Sequence, residues 1–225
     1  MIEYIFLGLF FIAAIVNVLG EYKDNNTIKL ISKPLLMPFL ILFYIFGIVE
    51  GATLAQVDWL IVVALIGGWA GDVFLMLDNK KKWFLYGMVA FLVNQILYII
   101  SFFLSISDVT AFDLWGLFLL LPVLIMLIYM APTPIKNAAE MKIPLLVYMT
   151  VILTMHIAAV LRLAEFQGLA FIFVYIGSIS FVFSDATIAV NQWDKKMRKF
   201  GAISMATYIL AQFFIVLGLL FSALL

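Results

Sequence analysis

Eight apolar runs, each long enough to cross a lipid bilayer, dominate the chain, and short polar clusters separate them. A helix of about 20 apolar residues spans the hydrocarbon core of a membrane, so each run predicts a transmembrane helix. The runs cover residues 3–20, 34–50, 58–78, 84–104, 114–131, 143–163, 168–190 and 200–222. We therefore predict an all-α integral membrane protein with eight transmembrane helices, forming a single polytopic domain over residues 1–225.

The composition supports this class and excludes others. Hydrophobic residues make up 67% of the chain and charged residues only 12%, against about 25% charged residues in soluble domains. The net charge of zero gives no indication of a nucleic-acid partner. There is no cysteine, and His156 is the single histidine. Thiolate and multi-histidine metal sites are therefore excluded, and we expect no metal and no cofactor, although carboxylate sites for hard cations stay open.

The basic residues predict how the helices are oriented. Arg162 is the one basic residue on its side of the predicted membrane. All the others fall in alternate loops: Lys23, Lys29, Lys33, Lys80, Lys81, Lys82, Lys136, Lys142, Lys195, Lys196, Arg198 and Lys199. By the positive-inside rule these loops are cytoplasmic and both termini are extracytoplasmic. The first residues lack a positive n-region, so we expect the first run to remain as a helix. The compact chain suits a bacterial inner membrane.

Prolines mark the start of two predicted helices. Ser32 is predicted to cap the second helix, with Pro34 in its opening turn, and Pro144 holds a similar position in the sixth. Residues 33–36 (KPLL) also resemble residues 142–146 (KIPLL). This echo is compatible with a 4+4 pseudo-repeat of two four-helix halves.

Two aspartates lie well inside apolar runs. A carboxylate in a spanning helix costs about 2.5–3.5 kcal/mol on insertion scales, so it usually marks a working site. Asp72 precedes Asp78, the predicted end of helix three, by six residues, and Asp185 precedes Asn191 by six. Each carboxylate should therefore lie about 9 Å above the cytoplasmic end of its helix. Equal depth on two parallel helices predicts that Asp72 and Asp185 share one site.

Other polar and small residues near these aspartates fit a shared polar cavity. They are Gly68, Gly71, Asn94, Gln95, Tyr98, Ser178, Phe181 and Ser184. We predict that Gln95, Tyr98 and Ser184 contact substrate and that Lys33, at the cytoplasmic mouth, holds a phosphate. Structural roles compete with this interpretation. Either aspartate or the Asn94–Tyr98 cluster can serve as interhelical hydrogen-bonding groups, and a buried, carbonyl-bonded His156 is more common than a catalytic one.

A close carboxylate pair suits more than one function. Two carboxyl groups in a low-dielectric cavity do not both ionise readily, so the pair shares a proton and offers an acid and a base together. Such a pair serves acid-catalysed cleavage through an oxocarbenium-like cation, hydrolysis by an activated water, or proton-coupled transport. Intramembrane aspartyl proteases are disfavoured, because their Gly-x-Gly-Asp signature is absent from residues 69–72.

Four blocks of the sequence resemble the YhhN-like lysoplasmalogenase family in content and order. They are residues 33–38 (KPLLMP), 71–76 (GDVFLM), 87–98 and 181–185 (FVFSD). The resemblance implies an eight-helix membrane hydrolase that takes a lysophospholipid within the membrane. It would cleave the vinyl ether bond of lysoplasmalogens, releasing a fatty aldehyde and a glycerophospho-ethanolamine or -choline.

The resemblance has one departure and leaves one alternative. The family favours a histidine three residues before the helix-four tyrosine, where this chain has Gln95, which forms hydrogen bonds but cannot shuttle a proton. Asp72 and Asp185 would be the catalytic pair, one as acid and the other as carboxylate. A small proton-coupled transporter or lipid-handling protein would use the same pair. The sequence does not indicate an oligomeric state.

Overall fold

The computed structural model describes residues 1–51, 53–77, 81–196 and 199–223, and within them the chain is helical without any β-strand. Asp78, Lys80 and Arg198, used above for a helix end and for topology, lie outside the described residues. The α-helices are α1 (Ile2–Tyr22), α2 (Asn26–Gly51), α3 (Trp59–Met76), α4 (Lys81–Leu104), α5 (Leu121–Met130), α6 (Pro132–Asn137), α7 (Lys142–Leu161), α8 (Gly168–Trp193) and α9 (Phe200–Ala223).

This architecture confirms the all-α membrane class. Seven of the described helical segments are long and apolar enough to span a membrane. The predicted fifth span differs, because it is a 3₁₀ helix (Leu114–Leu120) that continues into α5. A 3₁₀ helix rises about 2.0 Å per residue, so the combined segment is still about 29 Å long and nearly matches a hydrocarbon core. Pro132 follows directly and opens the short α6.

The second helix begins earlier than the sequence suggested. The link from α1 is so short that α2 starts at Asn26, with the Asn25 side chain accepting the Ile28 amide at 3.1 Å. The prediction that Ser32 caps this helix is therefore wrong. Its hydroxyl instead donates to the Ile28 carbonyl at 2.7 Å and accepts from Asn17 of α1 at 3.0 Å. Pro34 consequently lies in the interior of α2, whereas Pro144 lies in the first turn of α7, as expected.

The helices pack as close pairs, α1 with α2, α3 with α4, and α8 with α9, and α4 also packs along α7. Glycines bring the α8–α9 pair into backbone contact. A Cβ atom on Gly177 would lie 2.8 Å from the Ile215 amide nitrogen, and one on Gly218 would lie 2.8 Å from the Val174 nitrogen. These two positions therefore set the separation of α8 and α9.

The two ends of the bundle have different chemistry. At the basic end, defined here by the links α1–α2, α3–α4, α6–α7 and α8–α9, Lys199 donates to Tyr22 and Asn137 donates to the Trp193 carbonyl. The opposite end contains Arg162, as the sequence predicted. Its guanidinium is fully buried and donates to Ser105 at 2.5 Å and Ser222 at 2.6 Å. Arg162 thereby joins α4 and α9 to the end of α7.

Candidate active site

Asp72 is held in an ion pair inside the bundle. Its Oδ1 lies 3.2 Å from Nζ of Lys33, and the two side chains are only 3% and 11% exposed. Lys33 reaches this depth because α2 begins at Asn26, which places Lys33 about 10 Å along the helix. The lysine predicted to stand at the cytoplasmic mouth therefore neutralises the carboxylate of α3. Its predicted role in phosphate binding stays a prediction.

Two prolines of α2 lead to a hydrogen bond between α2 and α3 beside the Lys33–Asp72 ion pair. Pro38 has no backbone N–H, so the Pro34 carbonyl one turn earlier lacks its intrahelical donor. The indole nitrogen of Trp69 donates to this carbonyl at 2.9 Å. Pro34 directly follows Lys33, and Trp69 lies one turn before Asp72 on α3. The Trp69–Pro34 hydrogen bond thus fixes α2 against α3 beside the ion pair.

Asp185 has a different partner. The Tyr148 hydroxyl of α7 donates to its Oδ2 at 2.5 Å. Among the described residues no cation pairs with Asp185, and its side chain is partly accessible. Tyr148 was not predicted from the sequence, because nothing in α7 shows which of its polar residues faces α8. The second carboxyl group is therefore hydrogen-bonded but not neutralised.

Two small apolar cavities border Asp185 and Tyr148. Cavity A lies between α4 and α8, and its walls include Phe84, Met88, Phe91 and Trp193. Cavity B lies toward α5 and α6, and its walls include Leu127, Met130, Ala131 and Pro134. Asp185 thus presents a polar group to hydrocarbon-lined space on two sides.

A separate polar groove opens at the basic end. Its walls include Glu21, Lys29, Lys33 and Leu75. Leu75 also lines cavity A, so the polar groove and the apolar cavity meet at this residue. The site consequently offers charged walls at the basic end and apolar walls deeper in the bundle.

Asp72 and Asp185 lie in adjoining parts of the bundle, because Leu75, which follows Asp72 by three residues, lines cavity A together with Asp185. Their distances from the helix ends differ from the prediction of six residues each. Asp72 lies four residues before the end of α3 at Met76, and Asp185 lies eight before the end of α8 at Trp193. The phenyl ring of Phe91 links their surroundings, because it lines cavity A beside Asp185 and packs against Gly71 and Tyr208.

A chain of buried polar side chains approaches Asp72 from the membrane interior. The Tyr98 hydroxyl donates to Oε1 of Gln212, and Nε2 of Gln212 donates to the Tyr208 hydroxyl at 3.3 Å. Tyr208 lies beside Asp72, which has one buried oxygen, Oδ2, without a partner among the described residues. Tyr98 is therefore placed behind Asp72 rather than in either cavity. Tyr208 and Gln212 were missed, because α9 reads as an ordinary apolar helix.

Three other polar residues that the sequence analysis singled out have partners outside the cavities. Ser184 is fully buried against α9 and donates to the Ser204 carbonyl at 2.9 Å. His156 is fully buried, with Nδ1 2.9 Å from the Ser178 hydroxyl. Asn94 donates to the Ala64 carbonyl at 2.6 Å and so ties α4 to α3. The substrate contact predicted for Ser184 stays a prediction.

Gln95 is the remaining predicted site residue. It is fully buried, and neither of its amide atoms has a hydrogen-bond partner within the described part of the chain. Its amide lies near the Tyr148 hydroxyl, so it belongs to the surroundings of Asp185. Among the described residues, no three His, Asp or Glu side chains form a group that would hold a metal ion.

Comparison with known protein families identifies the family to which this chain is related. The model of the YhhN family matches residues 28–219. The chain belongs to the YhhN family. The match confirms the resemblance of the four sequence blocks. It also covers the residues of the YhhN site from Lys29 in the polar groove to Gln212 behind Asp72, and leaves out Glu21 of the groove wall. Neither the curated proteins nor the solved structures yielded a match to this YhhN chain.

Proposed function

We propose that this YhhN protein is a membrane hydrolase that cleaves the vinyl ether bond of lysoplasmalogens. The products are a fatty aldehyde and a glycerophospho-ethanolamine or -choline. The observation that carries the proposal is the unequal environment of two neighbouring carboxyl groups. Asp72 is ion-paired with Lys33, whereas Asp185 has only a hydrogen-bonded hydroxyl and borders apolar space. Such a difference assigns separate acid and base roles to two like residues.

In this mechanism Asp185 is the general acid. Its proton goes to the β-carbon of the vinyl ether, and the C=C electron pair forms the new C–H bond. The positive charge that results is shared between the α-carbon and the ether oxygen. Tyr148 orients the Asp185 carboxyl group and stabilises the carboxylate left after proton transfer.

Asp72 is the carboxylate that stabilises the positive charge formed on the substrate. Its negative charge favours the oxocarbenium ion, and it accepts a proton from the water that attacks the α-carbon. When the hemiacetal collapses, Asp72 returns its proton to the departing glycerol oxygen and the hemiacetal hydroxyl proton goes to Asp185. This step releases the alcohol and the aldehyde and restores both carboxyl groups. Water supplies all the atoms gained by the products. The Lys33 ammonium group, 3.2 Å from Oδ1 of Asp72, favours the carboxylate form of this side chain.

The shape of the site supports a single-chain amphiphile as substrate. The hydrocarbon chain would occupy the apolar cavities beside Asp185, and the phosphate headgroup would lie in the groove that contains Lys29 and Lys33. Leu75, where groove and cavity A meet, would then lie next to the glycerol. We further propose that the basic end faces the cytoplasm of a bacterial inner membrane.

The test is cleavage of a 1-alkenyl lysophospholipid by purified protein, with released aldehyde as the readout. Asp72→Asn and Asp185→Asn should each lower kcat by at least about 100-fold, as expected for loss of acid–base catalysis. Asp113→Asn, at an exposed carboxyl group outside the site, is the matched control and should retain activity. Folded Asp72→Asn and Asp185→Asn proteins that cleave as fast as the parent would exclude the mechanism.

A proton-coupled transporter is the second candidate. The chain of Tyr98, Gln212 and Tyr208 favours it, because these groups extend polar contacts from Asp72 into the membrane interior. Proton-dependent lipid uptake into proteoliposomes without aldehyde release would support this alternative and exclude the hydrolase.

A further inference from the structure

Gln95 has an unusual position for an amide side chain. It is completely buried, and both its oxygen and its nitrogen lack hydrogen-bond partners among the residues that the structure describes. An unpaired buried donor or acceptor is costly, and the large majority of such groups in proteins are bonded. Gln212 provides a contrast, because it is equally buried but bonded to Tyr98 and Tyr208. The amide of Gln95 therefore has unused hydrogen-bonding capacity, with the Tyr148 hydroxyl close by but outside hydrogen-bond geometry.

The position of Gln95 indicates where that partner binds. Phe84, Met88 and Phe91 of α4 line cavity A, and Gln95 follows Phe91 by four residues. This spacing places all four residues on one face of the helix, with Gln95 one turn beyond the last wall residue. On the facing helix, Tyr148 lines the same cavity and lies near the Gln95 amide. Gln95 thus lies one helical turn beyond the wall of cavity A, near the Tyr148–Asp185 hydrogen bond.

The chemistry of an amide restricts the ligand group. A free carboxamide offers both an acceptor and two donors. A carboxylate would use only the donors and an ammonium only the acceptor, whereas a hydroxyl uses both. An anionic group is further disfavoured by the carboxyl group of Asp185 nearby. The geometry points to a neutral hydroxyl as the partner of Gln95.

We propose that Gln95 binds the free glycerol hydroxyl of the substrate and so selects lipids that lack a second chain. This inference rests on the proposed function, because it takes the vinyl ether to lie at Asp185. In a 1-alkenyl lysolipid the hydroxyl is on the second carbon from the ether oxygen. A hydroxyl at that distance lies beside the Tyr148–Asp185 pair when the ether does. A second acyl chain would replace the hydroxyl proton and leave the Gln95 oxygen unpaired.

Two matched substrates test the proposal. One is a 1-alkenyl-2-hydroxy glycerophosphoethanolamine, and the other is its 2-deoxy analogue, which differs by one oxygen atom. The full-length protein should cleave the hydroxy substrate with a kcat/KM about 10- to 100-fold higher, since the deoxy analogue leaves the amide unpaired. Gln95→Met, which has a similar volume without polar groups, should abolish this ratio. It should also unfold at an equal or higher temperature than the parent, because it removes an unpaired amide.

Gln212→Met is the matched control. It makes the same change at an equally buried glutamine whose amide is already bonded, so it should lower activity on both substrates and keep their ratio. Equal cleavage of the two substrates by the parent would overturn the role of Gln95 and leave the hydrolase intact. An unchanged ratio in Gln95→Met would overturn it as well. Failure of the folded parent to cleave either substrate would instead overturn the proposed function.

Discussion

Lys33 Nζ lies 3.2 Å from Asp72 Oδ1, which joins a lysine of α2 to a carboxylate of α3 in the interior of the bundle. The pair changes how both residues are interpreted. Lys33 is not a free surface cation that only marks topology, and Asp72 is not an isolated carboxylate in an apolar helix. Together they form a neutral ion pair, whereas the carboxyl group of Asp185 has no such cation among the described residues.

The first prediction concerns this ion pair. Removing one partner leaves a buried charge uncompensated, so Lys33→Met should destabilise the fold by about 3–5 kcal/mol. The double variant Lys33→Met/Asp72→Asn should recover much of that loss, because neither charge remains. Loss of the monodisperse protein on heating in detergent measures both effects. Lys195→Met, at an exposed lysine, is the control and should change little. Additive losses in the double variant would contradict a direct pair.

The second prediction concerns Tyr148. Tyr148→Phe removes the hydroxyl that donates to Asp185 but keeps the ring that lines both cavities. A hydrogen bond to a charged group contributes about 1.5–3 kcal/mol, so kcat should fall by about 10- to 100-fold. Tyr129→Phe makes the same change at a tyrosine that is 82% exposed and should retain full activity. Equal rates for the two variants would show that the Tyr148 hydroxyl has no part in the reaction.

The third prediction concerns the contact between Trp69 and Pro34. Trp69→Phe removes the indole donor and leaves the Pro34 carbonyl without a partner. The expected loss of stability is about 0.5–1.5 kcal/mol. Pro38→Ala restores a backbone N–H one turn after Pro34, so the carbonyl gains an intrahelical donor. Trp69→Phe should then cost much less in the Pro38→Ala background than in the parent. A double-mutant cycle on unfolding temperature measures this coupling, and a coupling of zero would contradict it.

The fourth prediction concerns the glycine contact between α8 and α9. A Cβ on Gly177 would lie 2.8 Å from a backbone nitrogen of α9, which cannot move without separating the helices. Gly177→Ala should therefore lower stability by about 1–3 kcal/mol, as overpacking does in a close-packed core. Gly8→Ala is the control, because nothing lies within 4 Å of the added methyl group. That change should be neutral or stabilising by up to about 1 kcal/mol, since alanine favours the helix.

Much of the site was predictable because an intramembrane charge is rare. Asp72 and Asp185 stood out for that reason alone, and the prediction that they share one site stays a prediction. Their partners were harder to predict. Tyr148, Tyr208 and Gln212 lie in helices that contain other polar residues, and the sequence does not show how each helix is rotated about its axis.

Two errors arose where a local rule competed with a tertiary contact. Ser32 and Pro34 resemble a helix start, but a short link forces α2 to begin at Asn26, and the Trp69 indole satisfies the carbonyl that Pro38 leaves free. The two similar segments, residues 33–36 and 142–146, consequently occupy different positions in their helices. The first lies in the interior of α2 and the second in the first turn of α7.

The sequence by itself determined the membrane class, the order of the helices and the two carboxyl groups within apolar helices, because hydrophobic length and the cost of a charge in lipid act locally along the chain. Only the tertiary structure decided which residues surround each aspartate. Whether a carboxyl group meets a lysine or a tyrosine depends on the rotation and register of neighbouring helices. The packing of the helices pairs Lys33 with Asp72 and Tyr148 with Asp185. It leaves the amide of Gln95 without a hydrogen-bond partner among the described residues.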